Sequence, residues 1–174
     1  MTALDSPKYV LIILVAVFFS FAAHEASHWL AGEMIGYDMT MTMNTAYPLG
    51  VDDFEQEWHG MVISAAGPLF TIFQAVAIYT LMRRRKRISL YPFLVVPFVM
   101  RLIAMAVGFR NPNDEARISD YLGLSIWTLP ALVCLFLFYL VYKTSQRYEL
   151  DLKFQAITFV CTLLFSSIVI LVIK

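Results

Sequence analysis

Two histidines and a glutamate stand together in the sequence His24-Glu25-Ala26-Ser27-His28, near the end of a strongly apolar stretch. Histidines four residues apart lie on one face of a helix, where their imidazole nitrogens can bind one Zn²⁺. The glutamate between them can act as a general base toward water at such a metal. Because ionisable side chains at membrane depth are costly, this pattern indicates a function rather than a chance match at a helix end.

The composition places the chain in a membrane. Of its 174 residues, 60% are hydrophobic and 15% are charged, and the mean hydropathy is +0.70. This excess of apolar residues excludes an ordinary soluble domain. The formal net charge is zero, so we expect no nucleic-acid partner. Cys134 and Cys161 lie in apolar runs, where cysteine usually behaves as a small hydrophobic residue.

Five stretches are predicted as transmembrane helices, because a hydrocarbon core about 30 Å thick needs about 20 apolar residues in a helix. They lie at about residues 9–32, 60–82, 89–109, 122–142 and 156–173. The first carries the histidine motif near its end, in the part of the membrane far from the N-terminus. The expected fold is an all-α integral membrane protein in contact with the lipid bilayer.

The segment between the first two predicted helices is expected to form a short membrane-associated β-hairpin, at about residues 37–50. Residues 33–59 contain six acidic residues and neither lysine nor arginine. Residues 37–44 alternate with a period of two, which is typical of a strand. Residues 47–50, Tyr-Pro-Leu-Gly, predict the turn that follows.

The predicted strand contains the methionines Met39, Met41 and Met43. Such a strand could pair with an extended segment of a substrate by β-augmentation. Thioethers spaced by two residues are also suitable ligands for Cu(I). The simplest interpretation is that the methionines form the apolar face of a strand that rests on the membrane.

A basic run at residues 83–87, Arg-Arg-Arg-Lys-Arg, follows the second predicted helix and determines the expected orientation. Positively charged residues beside a span stay in the cytoplasm. Counting outward from this run puts the N-terminus in the cytoplasm and residues 33–59 and 110–121 outside. We therefore predict a multi-pass protein of the plasma (inner) membrane, with its histidine motif nearer the extracytoplasmic face.

A catalytic zinc site needs a third protein ligand and an open fourth position. Glu33 is rotated away from the face that carries the histidines, and a lone histidine such as His59 is often only a boundary residue. Asp114 follows the third predicted helix at the right height, although it or Asn113 could equally cap the next helix. The residues alone leave the choice open among five candidates: Glu33, His59, Asp114, Glu115 and Asp120.

Three motifs resemble those of the site-2 protease family of intramembrane zinc metalloproteases: HEASH at residues 24–28, AAGPL at 65–69 and NDEARI at 113–118. The resemblance covers about residues 9–125. It implies that residues 1–125 form a metalloprotease core of three helices with a hairpin, and that residues 126–174 add further transmembrane helices. The chain would be a small member without a soluble inserted domain.

The resemblance also implies roles for individual residues. His24, His28 and Asp114 would bind one Zn²⁺ per chain, and Glu25 would be the general base. The substrate would be a membrane protein that is cleaved in or near a transmembrane segment. The sequence gives no indication of the oligomeric state.

The chain departs from the family pattern at two motifs. Glu115 and Ala116 replace the glycine pair that follows the ligand aspartate, and Thr71 replaces an asparagine that supports the substrate or the oxyanion. The candidates for that support here are Asn111, Asn113 and Thr71. The predicted orientation also differs, because the family's site usually lies toward the cytosol.

A mid-membrane arginine and two proline-containing pairs indicate a water-filled cavity around the histidine motif. Arg101 stands in the middle of the third predicted helix, where an arginine either snorkels or faces the interior and pairs with an acid. Gly67-Pro68 and Asn111-Pro112 predict local unwinding around a cavity.

The function that the sequence favours is intramembrane hydrolysis of peptide bonds by a zinc metalloprotease. The alternative is a zinc-binding scaffold or pseudoprotease that binds membrane-protein partners without cleaving them. A metal transporter is the weakest hypothesis, because helices two, four and five lack mid-membrane acids and histidines.

Overall fold

A computed structural model of the protein describes residues 7–50, 54–108 and 112–172. Five helices in these ranges are long and apolar enough to cross a membrane, and a short helix lies between the third and fourth. This confirms the predicted all-α membrane protein with five spans. The elements are α1 (Pro7–Ile35), β1 (Met39–Met41), β2 (Ala46–Pro48), α2 (Glu57–Arg84), α3 (Tyr91–Val107), α4 (Asp114–Tyr121), α5 (Thr128–Tyr148) and α6 (Leu152–Val172).

The largest error in the predicted bounds concerns the fourth span, which was expected at 122–142 but begins at Thr128. Residues 122–127, which are mostly apolar, form the connection from α4 instead, because Gly123 adopts a left-handed φ of +69° and ends the helix. Likewise α6 begins before residue 156, at Leu152. Asp151 precedes it and accepts a hydrogen bond of 2.7 Å from the N–H of Phe154, which caps the helix.

The predicted hairpin is present, but its turn lies earlier than expected. The N–H of Thr42 donates to the carbonyl of Thr45 at 2.8 Å, and this closes the turn. Tyr47 and Pro48 therefore belong to β2 and not to a turn, and Pro48 is tolerated because it ends an edge strand. The strands are antiparallel, with the partners Met39 and Pro48, Thr40 and Tyr47, and Met41 and Ala46.

The hairpin is fixed to the end of α1 at Met39. Glu33 accepts a hydrogen bond of 2.9 Å from the Met39 N–H, and the indole of Trp29 donates to the Met39 carbonyl at 3.0 Å. The Met39 side chain is buried against Gly32, where an added Cβ would lie 2.6 Å from its Cγ. The hairpin thus has a defined position beside α1.

The spans pack into one bundle in which α1 contacts α2, α3 and α6. Its core consists of aliphatic side chains such as Ile13, Val17, Leu94 and Val99, none of which is exposed. Other large apolar side chains of the same helices are exposed on the outside of the bundle, as expected for a surface that faces lipid.

A polar bridge lies within this core. The amide nitrogen of Gln74 donates to the Ser20 hydroxyl at 2.8 Å and to the Phe93 carbonyl at 2.9 Å. These bonds join α1, α2 and the start of α3 inside the apolar bundle, where an unsatisfied amide would be costly.

The unwinding predicted at Gly67-Pro68 does not occur. Helix α2 is continuous from Glu57 to Arg84 with Pro68 inside it, since the proline lacks only one helical hydrogen bond. Asn111 lies outside the described residues, and Pro112 precedes the cap of α4.

Candidate metal centre

Side chains from α1 and α4 converge on one point inside the bundle. The Nε2 atoms of His24 and His28 lie 3.2 Å apart. Each lies 3.4 Å from Oδ2 of Asp114, the first residue of α4. The three donor atoms form a group that could hold a metal ion. The structure therefore brings together the two histidines and the aspartate that the family resemblance selected.

Hydrogen bonds behind His24 determine which of its nitrogens faces the site. The hydroxyl of Thr71 donates to the carbonyl of Gly67 at 3.0 Å. Its oxygen lies 3.0 Å from Nδ1 of His24 and so accepts the Nδ1 hydrogen. The Nε2 lone pair is then free and directed toward Asp114.

His28 is held in the same way by a backbone group. Its Nδ1 lies 2.6 Å from the carbonyl oxygen of Ile63. Because a carbonyl only accepts, Nδ1 carries the hydrogen and Nε2 is again the acceptor. Two imidazole lone pairs and a carboxylate oxygen thus face one another, an arrangement that a cation stabilises.

Gly67 allows α2 to approach the two imidazoles. A Cβ at this position would overlap Nε2 of His28 and would lie 2.7 Å from Nε2 of His24. Even the smallest side chain would therefore occupy the space between the helices at the site. This is a steric reason for the glycine of the AAGPL motif.

The carboxylate of Asp114 is held on its other side by α4 itself. Arg117 donates to its Oδ1 at 2.8 Å, which leaves Oδ2 for the histidines. Burial raises the pKa of Asp114, whereas the nearby positive charge of Arg101 favours the ionised carboxylate and lowers the pKa. An ionised Asp114 would face the two imidazole lone pairs with a negatively charged oxygen.

Arg101 faces the bundle interior and pairs with Glu115. Its Nη1 lies 3.2 Å from both carboxylate oxygens of Glu115, and both side chains are buried. Nη1 also lies 3.5 Å from Oδ2 of Asp114, and Nη2 lies 3.3 Å from Nε2 of His24. Glu115 is thus the partner of an arginine rather than a metal ligand, and the arginine does not snorkel.

An open cavity of about 750 Å³ leads to these groups. Glu25 lines it beside His24 and His28, and Arg101 lines another part of its wall. The cavity is also lined by hairpin residues 44–48 and by apolar residues of α3. The residues that carry the three donor atoms thus lie in the wall of an open cavity.

The other candidates for a third ligand lie elsewhere. His59 is hydrogen-bonded through Nδ1 to the hydroxyl of Tyr37 at 2.8 Å. Asp120 is exposed on α4, and Glu33 anchors the hairpin. The structure thus places Asp114, and not these other candidates, beside the two histidines. Their expected depth in the membrane could not distinguish them.

Two of the residues predicted to support an oxyanion make hydrogen bonds within the protein. Thr71 is buried behind His24 and does not line the cavity. Asn113 lines the cavity, but its side-chain oxygen caps α4 by accepting from the Ala116 N–H at 2.8 Å. Asn111 lies outside the described residues.

The three methionines of the predicted strand lie away from the cavity. Met39 is buried against α1, Met43 packs on the main core, and none of the three lines the cavity. The strand beside the site is β2, whose residues 46–48 line the cavity.

The sequence did not indicate that Thr71, Ile63 and Arg117 hold the side chains of the candidate metal centre, or that Arg101 pairs with Glu115. The signal for that pair was present, since a mid-membrane arginine needs an acid and Glu115 directly follows the ligand aspartate. The chemistry available at the site is metal binding beside a carboxylate in a water-accessible cavity. Comparisons of the chain with protein-family models, with curated proteins and with solved structures found no match.

Proposed function

We propose that the protein is an intramembrane zinc metalloprotease of the site-2 protease type. The observation that carries the proposal is the convergence of two imidazole nitrogens and one carboxylate oxygen, 3.2–3.4 Å apart, beside Glu25 in an open cavity. All of these groups lie within or next to a bundle of five candidate spans. The expected substrate is a membrane protein with a transmembrane segment.

The donor set fits zinc. Tetrahedral coordination with bonds of about 2.0–2.1 Å places neighbouring ligand atoms about 3.3 Å apart, close to the separations of 3.2 and 3.4 Å found here. Catalytic zinc sites commonly have three protein ligands of the histidine and carboxylate type and keep one position open. One such ion per chain is proposed.

The charges around the donor atoms favour a cation. Glu25, Asp114 and Glu115 supply three carboxylates, and Arg101 supplies a buried positive charge. Arg117, which is half exposed, pairs with Asp114 at 2.8 Å. When ionised, these three carboxylates and two arginines carry a net charge of −1, which a cation at the donor atoms would offset.

Different residues of the chain have different roles in the proposed hydrolysis. When bound, zinc would polarise the scissile carbonyl and make a nearby water more acidic. Glu25 accepts the proton of the attacking water and delivers it to the leaving amine. Thr71 and the Ile63 carbonyl hold the histidine rings, and Arg117 holds the carboxylate of Asp114.

A transmembrane helix hides its carbonyls in its own hydrogen bonds, so the substrate must be extended at the cleavage point. Within the described ranges, β2 pairs with β1 on one side, and residues 44–48 line the cavity. We therefore assign β2, rather than the methionine strand, as the edge to which a substrate segment is added.

The first prediction concerns Glu25. Glu25→Gln should abolish cleavage while zinc stays bound, because the amide cannot accept the proton and the three ligands are unchanged. The measurement is hydrolysis of fluorescently labelled casein and of single-span peptides in detergent, with zinc content measured on the same samples.

Glu33→Gln is the control, since Glu33 holds the hairpin outside the cavity. Cleavage by Glu25→Gln at the wild-type rate would contradict the proposal. So would a zinc-loaded wild type that leaves both kinds of substrate intact.

A non-proteolytic zinc scaffold is the second candidate. It is favoured by one observation, namely that the Thr71 hydroxyl donates to the Gly67 carbonyl and so is not available to a substrate. In that case Glu25→Gln would leave partner binding and the cellular phenotype unchanged, whereas His24→Ala would abolish them. Hydrolysis therefore requires another group that binds the carbonyl oxygen of the substrate.

A further inference from the structure

Hydrolysis of a peptide creates negative charge on the carbonyl oxygen, and a donor placed near that oxygen stabilises it. Of the two described residues expected to serve as such donors, Thr71 is buried behind His24 and donates its hydroxyl hydrogen to the Gly67 carbonyl, so it is not available at the cavity. Asn113 is held on α4 through its side-chain oxygen and keeps its amide nitrogen as a neutral donor. Arg101 also lines the cavity, with a positively charged group that only donates.

The position of Arg101 is set by Glu115. Both carboxylate oxygens of Glu115 lie 3.2 Å from Nη1. Because a guanidinium is planar and rigid, holding Nη1 also restricts Nη2. Nη2 lies 3.3 Å from Nε2 of His24, and Nη1 lies 3.5 Å from Oδ2 of Asp114. The guanidinium therefore flanks two of the three donor atoms.

The lone pair on Nε2 of His24 cannot serve a metal and an N–H at the same time. If the metal takes that lone pair, the Nη2 hydrogen beside it needs another acceptor, since an unpaired buried donor costs about 1–3 kcal/mol. A substrate carbonyl that enters the cavity next to His24 and Asp114 would supply this acceptor.

The charge of Arg101 argues against a role confined to metal binding. A positive charge next to metal ligands repels the metal, so this position lowers metal affinity rather than raising it. The pairing with Glu115 reduces that cost and keeps the guanidinium in place. The arrangement is suited to a group that acts on the substrate.

We propose that Arg101 is a catalytic residue that donates from Nη2 to the carbonyl oxygen of the scissile peptide, and that Glu115 is its positioning residue. The inference rests on the proposed function. It also gives a role to Glu115, which stands where the resemblance implies a glycine and which holds the arginine.

Arg101→Lys tests the proposal with little change in charge. Lysine can still pair with Glu115, but it has one nitrogen and loses the second arm of the guanidinium. We expect zinc affinity to stay within about threefold of wild type, and casein turnover (kcat) to fall by about 10²–10³-fold, the usual effect of removing one oxyanion donor. Zinc affinity is measured by competition with a chromogenic chelator.

A paired variant, Arg101→Met with Glu115→Gln, removes both charges and avoids leaving a buried carboxylate unpaired. It should bind zinc at least as tightly as wild type and should lose cleavage. Arg147→Lys is the control for the replacement itself, because Arg147 donates to the Arg83 carbonyl at the C-terminal end of α2. It should change neither quantity.

Two results would overturn the inference. One is wild-type turnover in Arg101→Lys. The other is loss of zinc affinity in parallel with cleavage in both variants, which would show that Arg101 only holds the site together. If Arg101→Lys is active and Glu25→Gln is inactive, only this inference fails; if zinc-loaded wild type itself does not cleave, the proposed function fails with it.

Discussion

At the scale of single residues, the site depends on the groups that face away from it. Thr71 donates to one carbonyl and accepts from His24, while the Ile63 carbonyl accepts from His28. These bonds select the tautomer that leaves both Nε2 atoms free for a metal. The spacing of His24 and His28 predicted that both face one site, which the structure shows. The hydrogen bond of Thr71 could not be predicted, because it depends on which helix lies behind the imidazole.

A substitution of Thr71 tests this support. Thr71→Val keeps the shape of the side chain but removes the acceptor for the His24 Nδ1 hydrogen. We expect zinc affinity to fall about 10–100-fold, as is typical when a partner of a ligand histidine is lost. Chelator competition on purified protein measures the effect.

Thr71→Ser is the matched control, because it retains a hydroxyl, and it should bind zinc with nearly wild-type affinity. Equal zinc affinity in Thr71→Val and wild type would show that the hydrogen bond does not orient His24.

At the scale of the elements, the approach of α2 to α1 and the cap of α4 create the site. Gly67 allows α2 to touch both imidazoles, and Asn113 caps α4 so that Asp114 begins it at the correct point. Hydropathy predicted the spans but not the residues at which the helices begin and end. Asp151 caps the start of α6, and Gly123, with a left-handed φ, ends α4. The hairpin was predicted, while its turn was placed too late because Pro48 was assigned to a turn.

The steric role of Gly67 predicts a large effect from one methyl group. In Gly67→Ala the new Cβ overlaps His28 and contacts His24, and the packed helices leave it no space. We expect loss of zinc and a destabilisation of about 1–3 kcal/mol, the usual cost of overpacking. Zinc content and thermal unfolding in detergent measure the two effects.

Leu69→Ala is the comparison on the same helix, since Leu69 is 62% exposed on the outer face. It should retain zinc. Full zinc occupancy in Gly67→Ala would show that the helices can separate at this point without loss of the site.

At the scale of the whole molecule, the five spans bring three distant parts of the chain together inside a membrane bundle. Composition alone predicted the class of protein, and charge bias predicted its orientation. Only the family resemblance predicted that Asp114 of α4 lies beside the histidines of α1. Asp114 is about 90 residues from them, and no local sequence pattern joins the two segments.

The orientation can be tested by labelling single cysteines in a variant without Cys134 and Cys161. The basic run should keep the C-terminal end of α2 in the cytoplasm, which places the hairpin outside. A membrane-impermeant maleimide should therefore label Leu49→Cys in intact cells, and it should label Arg85→Cys only after the membrane is opened. The reverse pattern would place the site toward the cytosol.

We propose above all that His24, His28 and Asp114 form one zinc site. The most direct test is the zinc content of protein purified without chelators, for wild type, Asp114→Ala and His59→Ala. We predict one zinc per chain in wild type and in His59→Ala, in which the altered residue binds Tyr37 instead, and no zinc in Asp114→Ala. Wild type without zinc, or Asp114→Ala with a full complement of zinc, would contradict the account.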